Sequence, residues 1–102
     1  MRGLRLQSIA EAEVAEALEW YRQQSATAAQ DFLAAVDQTL RRIEQDPESL
    51  PLVSKTLRRV LLPRFPYAIY YRVFPDVVTV VGVIHGRRHP RRWRRRGVEP
   101  ET

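Results

Sequence analysis

The stretch of sequence that decides the fold is YAIYYRVFPDVVTVVGVIH, residues 67–85. It contains two runs rich in aromatic and β-branched residues, Tyr67–Phe74 and Val77–His85, separated by the turn-forming pair Pro75-Asp76. This pattern predicts a β-hairpin with a two-residue loop. A regular hairpin of this kind pairs Phe74 with Val77 and continues with Val73–Val78, Arg72–Thr79, Tyr71–Val80, Ile69–Gly82, Tyr67–Ile84, Pro66–His85 and Arg64–Arg87.

The segments around the hairpin predict two more strands. Val77–Ile84 is apolar on both faces, so we expect it to lie in the centre of the sheet. Leu57–Leu62 is a further strand-like run, which two prolines separate from the hairpin. Residues 48–56 are predicted to form a loop. Near the N-terminus, Leu4 and Leu6 alternate with polar neighbours, which predicts a short strand over residues 2–7.

The first predicted helix lies between the N-terminal strand and the hairpin, over residues 9–24. The sequence Ser8-Ile9-Ala10-Glu11 fits a capping box and marks its start. Its apolar residues recur at helical spacing on one face, with Glu13, Glu16 and Arg22 opposite. We therefore expect this helix to pack through Ala10, Val14, Ala17, Leu18 and Tyr21.

The second predicted helix starts at another capping box, Thr27-Ala28-Ala29-Gln30, and ends near Asp46 because Pro47 excludes its continuation. Its apolar stripe consists of Phe32, Val36, Leu40 and Ile43, beside Ala29 and Leu33. The short connection between the two helices predicts an antiparallel helical hairpin.

The predicted element order is strand, helix, helix and three strands (βααβββ), which is an α+β fold. We expect the helical hairpin to cover one face of a mainly antiparallel sheet, with a short basic C-terminal tail or helix after it. A chain of 102 residues fits one domain. We assign residues 1–96 to that domain and residues 97–102 to a C-terminal tail.

The composition excludes several classes of protein. With no cysteine, the chain has no disulfide, no thiolate metal site and no cysteine nucleophile. No apolar stretch reaches the roughly 18 residues that a membrane-spanning helix needs, and the N-terminus lacks the apolar run of a signal peptide. We therefore expect a cytoplasmic protein that does not associate with membranes. No cofactor and no metal ion are expected, since a turn with Gly86 separates His85 from His89 and no third ligand is nearby.

The net charge of +5 is unevenly distributed along the chain. Residues 1–51 have five basic and nine acidic side chains, whereas residues 52–102 have twelve basic and three acidic ones. Of the 17 basic residues, 16 are arginine, whose planar guanidinium group suits phosphate and carboxylate. We therefore expect an anionic partner, protein or nucleic acid, to bind the C-terminal half. The candidate contacts are Arg59, Arg64, Arg72, Arg87, Arg88, Arg91, Arg92, Trp93, Arg94 and Arg95.

The same segments resemble the RelE/ParE superfamily of toxins from bacterial type II toxin–antitoxin modules. The resemblance covers nearly the whole chain and rests on four segments: the first helix ending in Trp20-Tyr21, the second helix with Phe32-Leu33 closed by Asp46-Pro47, the strand at 65–73, and Val83-Ile84-His85-Gly86-Arg87-Arg88 followed by Pro90 and Trp93. It implies a small toxin that a cognate antitoxin holds inactive. ParE-like members act on DNA gyrase, and RelE-like members act on mRNA in the ribosome.

The candidate residues for ribonuclease chemistry are few. Cleavage through the 2′-hydroxyl needs a proton acceptor, cations for the charged intermediate and an acid for the leaving oxygen. In the RelE-like pattern, charged or titratable residues stand where this chain has Ala68, Leu61 and Trp93. The remaining catalytic candidates are His85, Arg64 and Arg87, which the predicted pairing brings to one end of the hairpin. A strand-end histidine bonded to backbone is the structural alternative for His85.

These observations favour a ParE-like toxin that inhibits DNA gyrase by binding, without chemistry of its own, and that forms a hetero-oligomer with its antitoxin. The first alternative is a RelE-like, ribosome-dependent mRNA endonuclease. The second is a non-toxic binding module with the toxin fold. Apolar side chains left exposed on the helical hairpin would mark an antitoxin contact, and Trp20 and Leu50 are the candidates to check.

Overall fold

A computed structural model describes residues 3–86 of the chain. Its elements are a strand β1 (Gly3–Leu6), helices α1 (Ser8–Gln24) and α2 (Ala26–Gln45), a 3-10 turn (Pro47–Ser49), and strands β2 (Leu57–Leu61), β3 (Tyr67–Val73) and β4 (Val77–His85). The predicted α+β order is therefore confirmed. The predicted tail, residues 97–102, and the tail or helix around Pro90 lie outside the described residues.

The four strands form one sheet in the order β1-β4-β3-β2. Strand β1 runs parallel to β4, while β3 is antiparallel to both β4 and β2. The central position predicted for Val77–Ile84 is confirmed, because β4 has a neighbour on each side. Strand β1 lies at one edge of the sheet.

The pairing within the hairpin is partly different from the prediction. The pairs Val73–Val78, Arg72–Thr79 and Tyr71–Val80 are as predicted, but the register then shifts, and Tyr70 pairs with Gly82. A β-bulge accommodates one additional residue, Val81, in β4 at this point. Beyond the bulge the predicted pairs are wrong by one residue: Ile69 pairs with Val83, Ala68 with Ile84, and Tyr67 with His85.

Both helices start at a different cap from the one predicted. The N-cap of α1 is Gln7, with no side-chain hydrogen bond, and Ser8 is already helical. The N-cap of α2 is Ser25, whose Oγ accepts a hydrogen bond of 2.9 Å from the amide of Ala28. The capping boxes at Ser8 and Thr27 are therefore wrong, because the chain turns into each helix before those residues.

The core lies between the helical hairpin and one face of the sheet. At its centre four aromatic rings meet, with Phe32 fully buried and its ring centroid 5.0 Å from that of Tyr21, 5.5 Å from Phe65 and 5.3 Å from Tyr67. We call Tyr21, Phe32, Phe65 and Tyr67 the aromatic cluster. It connects both helices to β3 and to the turn before it.

The position of Glu13 opposite the apolar stripe predicts that it lies on the solvent face of α1. This prediction is wrong. Glu13 is buried, and its Oε1 accepts a hydrogen bond of 2.9 Å from the backbone amide of Val83. Val83 follows the bulge in β4, so this bond ties α1 to the strand close to the irregular pairing. A buried carboxylate is tolerated when it is hydrogen-bonded in this way.

The 3-10 turn after α2 is held by Tyr71 of β3, whose hydroxyl donates a hydrogen bond of 2.6 Å to the carbonyl of Pro47. Tyr71 is fully buried, and burial raises the pKa of its hydroxyl to about 12, although Arg58 and Arg42 nearby partly oppose this shift. Ionisation in the folded protein is therefore disfavoured relative to the unfolded chain.

The stability of the protein should consequently fall in alkaline solution. In the unfolded chain Tyr71 has a pKa of about 10, so its contribution is complete below about pH 10 and is lost as the pH rises through the folded value of about 12. The full loss is about 2–3 kcal/mol. Urea unfolding at increasing pH measures it, and Tyr71→Phe should abolish this part of the pH dependence. The same dependence in Tyr71→Phe as in the wild type would contradict the assignment.

Candidate docking surface

The sheet face opposite the helical hairpin has a small apolar centre. We call this side of the sheet the outer face. A second cluster of buried apolar residues lies there, packed against Val53 of the loop before β2, and it consists of Leu57, Ala68, Tyr70, Val81 and Ile84. The bulge contributes to this cluster, because it turns Ile84 to the outer face and Val83 to the main core.

Three arginines lie beside this apolar centre on the outer face. Arg5 of β1 and Arg72 of β3 pair with the same residue of β4, Thr79, from its two sides. Their Cα atoms are therefore two strand spacings, about 10 Å, apart. Arg59 of β2 pairs with Tyr70, two residues before Arg72. We call Arg5, Arg59 and Arg72 the arginine row.

Two members of the arginine row, Arg5 and Arg59, are available to a partner. Arg5 and Arg59 are exposed, and neither forms an ion pair within residues 3–86. Arg72 is half-buried, and its Nε donates a hydrogen bond of 3.1 Å to the hydroxyl of Thr56. Guanidinium groups fixed by neighbouring strands present several donors toward one side, an arrangement suited to phosphate or carboxylate groups.

Arg59 and Arg72 are among the contacts predicted from the sequence, whereas Arg5 is not. The parallel pairing of β1 with β4 brings Arg5 to this face. The alternation of Leu4 and Leu6 already placed Arg5 on the opposite side of its strand from the core. What the sequence could not supply was the strand order, which makes β1 the neighbour of β4.

His85 lies at the end of β4 and on the other side of the sheet. Its ring contacts the ring of Tyr67 edge-on, with the centroids 5.1 Å apart, and Tyr67 belongs to the aromatic cluster on the helix side. The regular pairing predicted for the hairpin places His85 opposite Pro66 on the outer face. In the structure the bulge moves His85 to the helix side, and Gly86 instead binds Pro66 through its amide, at 2.9 Å from the carbonyl oxygen.

Arg64 lies in the turn between β2 and β3, at the same end of the hairpin as His85. It has a φ of 67°, the left-handed conformation that residues other than glycine rarely adopt, and its side chain is exposed. Arg72 pairs with Thr79, six residues before His85 and therefore about 20 Å away along the strand. The structure thus separates His85 from the arginine row by both distance and sheet face.

Several candidate residues cannot be placed. Arg87, Arg88, Arg91, Arg92, Trp93, Arg94 and Arg95 all lie outside the described residues. Within residues 3–86, no three histidine, aspartate or glutamate side chains are grouped so that they could hold a metal ion. In the same part of the chain, neither helix combines the length and the apolar character needed to cross a membrane.

Trp20 and Leu50, the two apolar side chains predicted to be exposed for an antitoxin contact, differ in their exposure. Trp20 on α1 is 42% exposed, as that hypothesis requires, with its ring 4.9 Å from that of Tyr21. Leu50 is buried, because the segment after the 3-10 turn folds onto the core. Leu50 is therefore excluded as a contact. Leu33 on α2, which the sequence places beside the packing stripe, is 47% exposed.

The chain matches one protein family and shares its fold with a solved structure. A family model described as the ParE toxin of the type II toxin–antitoxin system parDE matches residues 4–90. Among solved structures, the chain is similar to one described as a chromosomal ParDE TA system from P. aeruginosa, with a TM-score of 0.69 and 15% identical residues. The match covers 83% of this chain and 96% of that one, and it shows a shared fold. No curated protein matches the sequence.

Proposed function

The chain belongs to the ParE toxin family of type II toxin–antitoxin systems, and from this premise we propose that it inhibits DNA gyrase by binding and is neutralised by a cognate antitoxin. It acts in the cytoplasm, where gyrase and its DNA are, and it is stored as a hetero-oligomer with the antitoxin. The observation that carries this proposal is the arrangement of Arg5, Arg59 and Arg72 beside an apolar centre on the outer face.

The arginine row supports binding more than catalysis. Arginine remains protonated at neutral pH, so a guanidinium group attracts an anion but does not accept the proton of a 2′-hydroxyl. His85, which could accept it, lies on the helix side of the sheet, in edge-on contact with Tyr67. Cleavage by acid–base catalysis needs both a cation and a proton acceptor within hydrogen-bond reach of one substrate. The outer face of residues 3–86 offers the cations without a histidine.

Two positions on the outer face also favour a protein contact. A RelE-like ribonuclease needs cations at the positions of Leu61 and Ala68, whereas here these two residues pair with each other across β2 and β3. Leu61 is 67% exposed, and Ala68 is buried in the apolar cluster. An exposed leucine beside an arginine, here Arg59, is typical of a mixed apolar and charged docking surface and cannot stabilise a phosphate.

The proposal is tested by adding the purified protein to gyrase in a supercoiling assay and trapping any cleaved DNA complexes. We expect loss of supercoiling that the cognate antitoxin reverses. The same preparation is added to ribosomes programmed with mRNA, and the message should remain intact. Cleaved mRNA with unaffected gyrase would instead identify the endonuclease. Antitoxin binding with neither effect would identify a non-toxic binding module.

A further inference from the structure

The two available arginines of the outer face define a direction across the sheet. Arg5 is on β1 and Arg59 is on β2, the two edge strands. Arg5 is level with Arg72, since both pair with Thr79, whereas Arg59 pairs with Tyr70, two residues before Arg72. Three strand spacings and a shift of two residues therefore separate Arg5 from Arg59. Their Cα atoms are about 16 Å apart.

The line between these two arginines crosses all four strands beside the apolar centre. It passes between Tyr70 and Arg72 on β3, and between Thr79 and Val81 on β4. Tyr70 and Val81 belong to the apolar cluster of this face. A helix, about 10 Å across, that lies along this line covers both of them. Such a partner meets a cation near each end and apolar side chains between the two cations.

The negative charge has to come from the partner. None of the four strands contains an aspartate or a glutamate. The exposed guanidinium groups of Arg5 and Arg59 form no ion pair within residues 3–86. Two copies of the chain that met through their outer faces would therefore repel each other. Carboxylates are suited to these arginines because they accept two parallel hydrogen bonds from a guanidinium group.

An α-helix matches the separation of the two arginines better than a strand does. Because a helix rises about 1.5 Å per residue, its residues i and i+11 are about 16.5 Å apart and point in nearly the same direction. A strand covers this distance in about five residues, and side chains an odd number of residues apart point to opposite faces. A helix also packs on the face of a sheet, whereas a strand is added at its edge.

We infer that the outer face binds an acidic amphipathic helix of gyrase, which crosses the sheet from one edge strand to the other. One acidic residue of this helix binds Arg5, and a second, about 11 residues away, binds Arg59. The apolar residues between them pack beside Tyr70 and Val81. The inference deepens the proposed function and rests on it, since that proposal supplies gyrase as the partner.

Site-specific crosslinking tests the inference, because the chain has no cysteine and a single one can be introduced for labelling. Arg5→Cys and Arg59→Cys are each labelled with a benzophenone maleimide and irradiated with gyrase and DNA, at concentrations that still inhibit supercoiling. Mass spectrometry identifies the crosslinked residues. We expect both labels on one helix of gyrase, about 11 residues apart. Arg22→Cys, exposed on α1, is the matched control and should give no gyrase crosslink.

Charge exchange tests the same contact without a label. Arg59→Glu should weaken inhibition by about tenfold, and replacing the gyrase acid nearest to the label at residue 59 with arginine should recover most of that loss. This gyrase variant should not rescue Arg5→Glu, which faces the other end of the helix. Supercoiling without the toxin checks that the gyrase variant is active, and circular dichroism checks the toxin variants. Rescue of neither variant, or of both equally, would overturn the inference.

The remaining outcomes separate this inference from the proposed function. Inhibited gyrase with the two labels on different gyrase segments, on one strand, on DNA or on a second copy of the toxin would overturn the inference and leave gyrase inhibition standing. Both labels on one helix of a gyrase that remains fully active would support the inference and refute inhibition. Neither crosslinks nor inhibition would refute both.

Discussion

Replacing Arg5 and Arg59 with glutamate should raise the protein concentration needed for half-maximal inhibition of gyrase by about 100-fold. Both side chains are exposed on the outer face, on either side of Arg72. If they contact anionic groups of the target, charge reversal replaces attraction with repulsion at two points of one interface. A cost of several kcal/mol is typical of such like-charge contacts.

The matched control for this variant is a double reversal on the helices, Arg22→Glu with Arg41→Glu. It changes the net charge by the same amount but removes two exposed ion pairs, with Glu19 and Asp37, that contribute little to stability. We expect inhibition within about threefold of the wild type for this control. Equal losses in both double variants would show that the protein responds to net charge alone, and the docking surface would then be wrong. Circular dichroism confirms the fold of each variant.

The largest expected effect on stability is that of Phe32→Ala. Phe32 is fully buried, and its ring contacts three other members of the aromatic cluster. Removing a buried phenyl ring leaves a cavity and typically costs about 3–5 kcal/mol. A domain of this size has about 5–15 kcal/mol in total, so the variant should be close to unfolding at ordinary temperature. Urea unfolding of the free chain measures the loss.

Phe74→Ala is the control for this prediction. Phe74 is 44% exposed at the hairpin turn, so its truncation should change the free energy of unfolding by less than about 1 kcal/mol. A loss of less than about 1 kcal/mol in Phe32→Ala as well would contradict the account of the core. Because antitoxin binds the folded state, its addition should restore part of the stability of Phe32→Ala.

Residue type and spacing were sufficient to predict the hairpin, the central strand and the order of the elements. A long apolar run that follows a proline turn leaves few alternatives to a strand, and β4 begins and ends at the predicted residues, Val77 and His85. The bulge was not predicted, and its consequence is large, because one additional residue reverses the face of every residue after it. Gly82 inside the strand was the available signal, since an isolated glycine in a strand often marks a bulge.

The remaining errors concern contacts that depend on tertiary structure. The helical pattern places Glu13 opposite the apolar stripe, and only the packing of α1 on β4 shows that its carboxylate binds the amide of Val83. Ser8 fits a capping motif, but the chain is already helical there after leaving β1. Similarly, Arg59 and Arg72 could be recognised as candidate contacts from charge alone. Their neighbour Arg5 required the strand order.

The central claim is that this toxin inhibits gyrase by binding through the outer face, without chemistry of its own. It is tested most directly by comparing wild-type protein and His85→Gln in one gyrase supercoiling assay, with programmed ribosomes assayed in parallel. We predict that both proteins inhibit supercoiling to the same extent and that both leave mRNA intact. Unaffected gyrase, together with mRNA cleavage that His85→Gln abolishes, would contradict the claim.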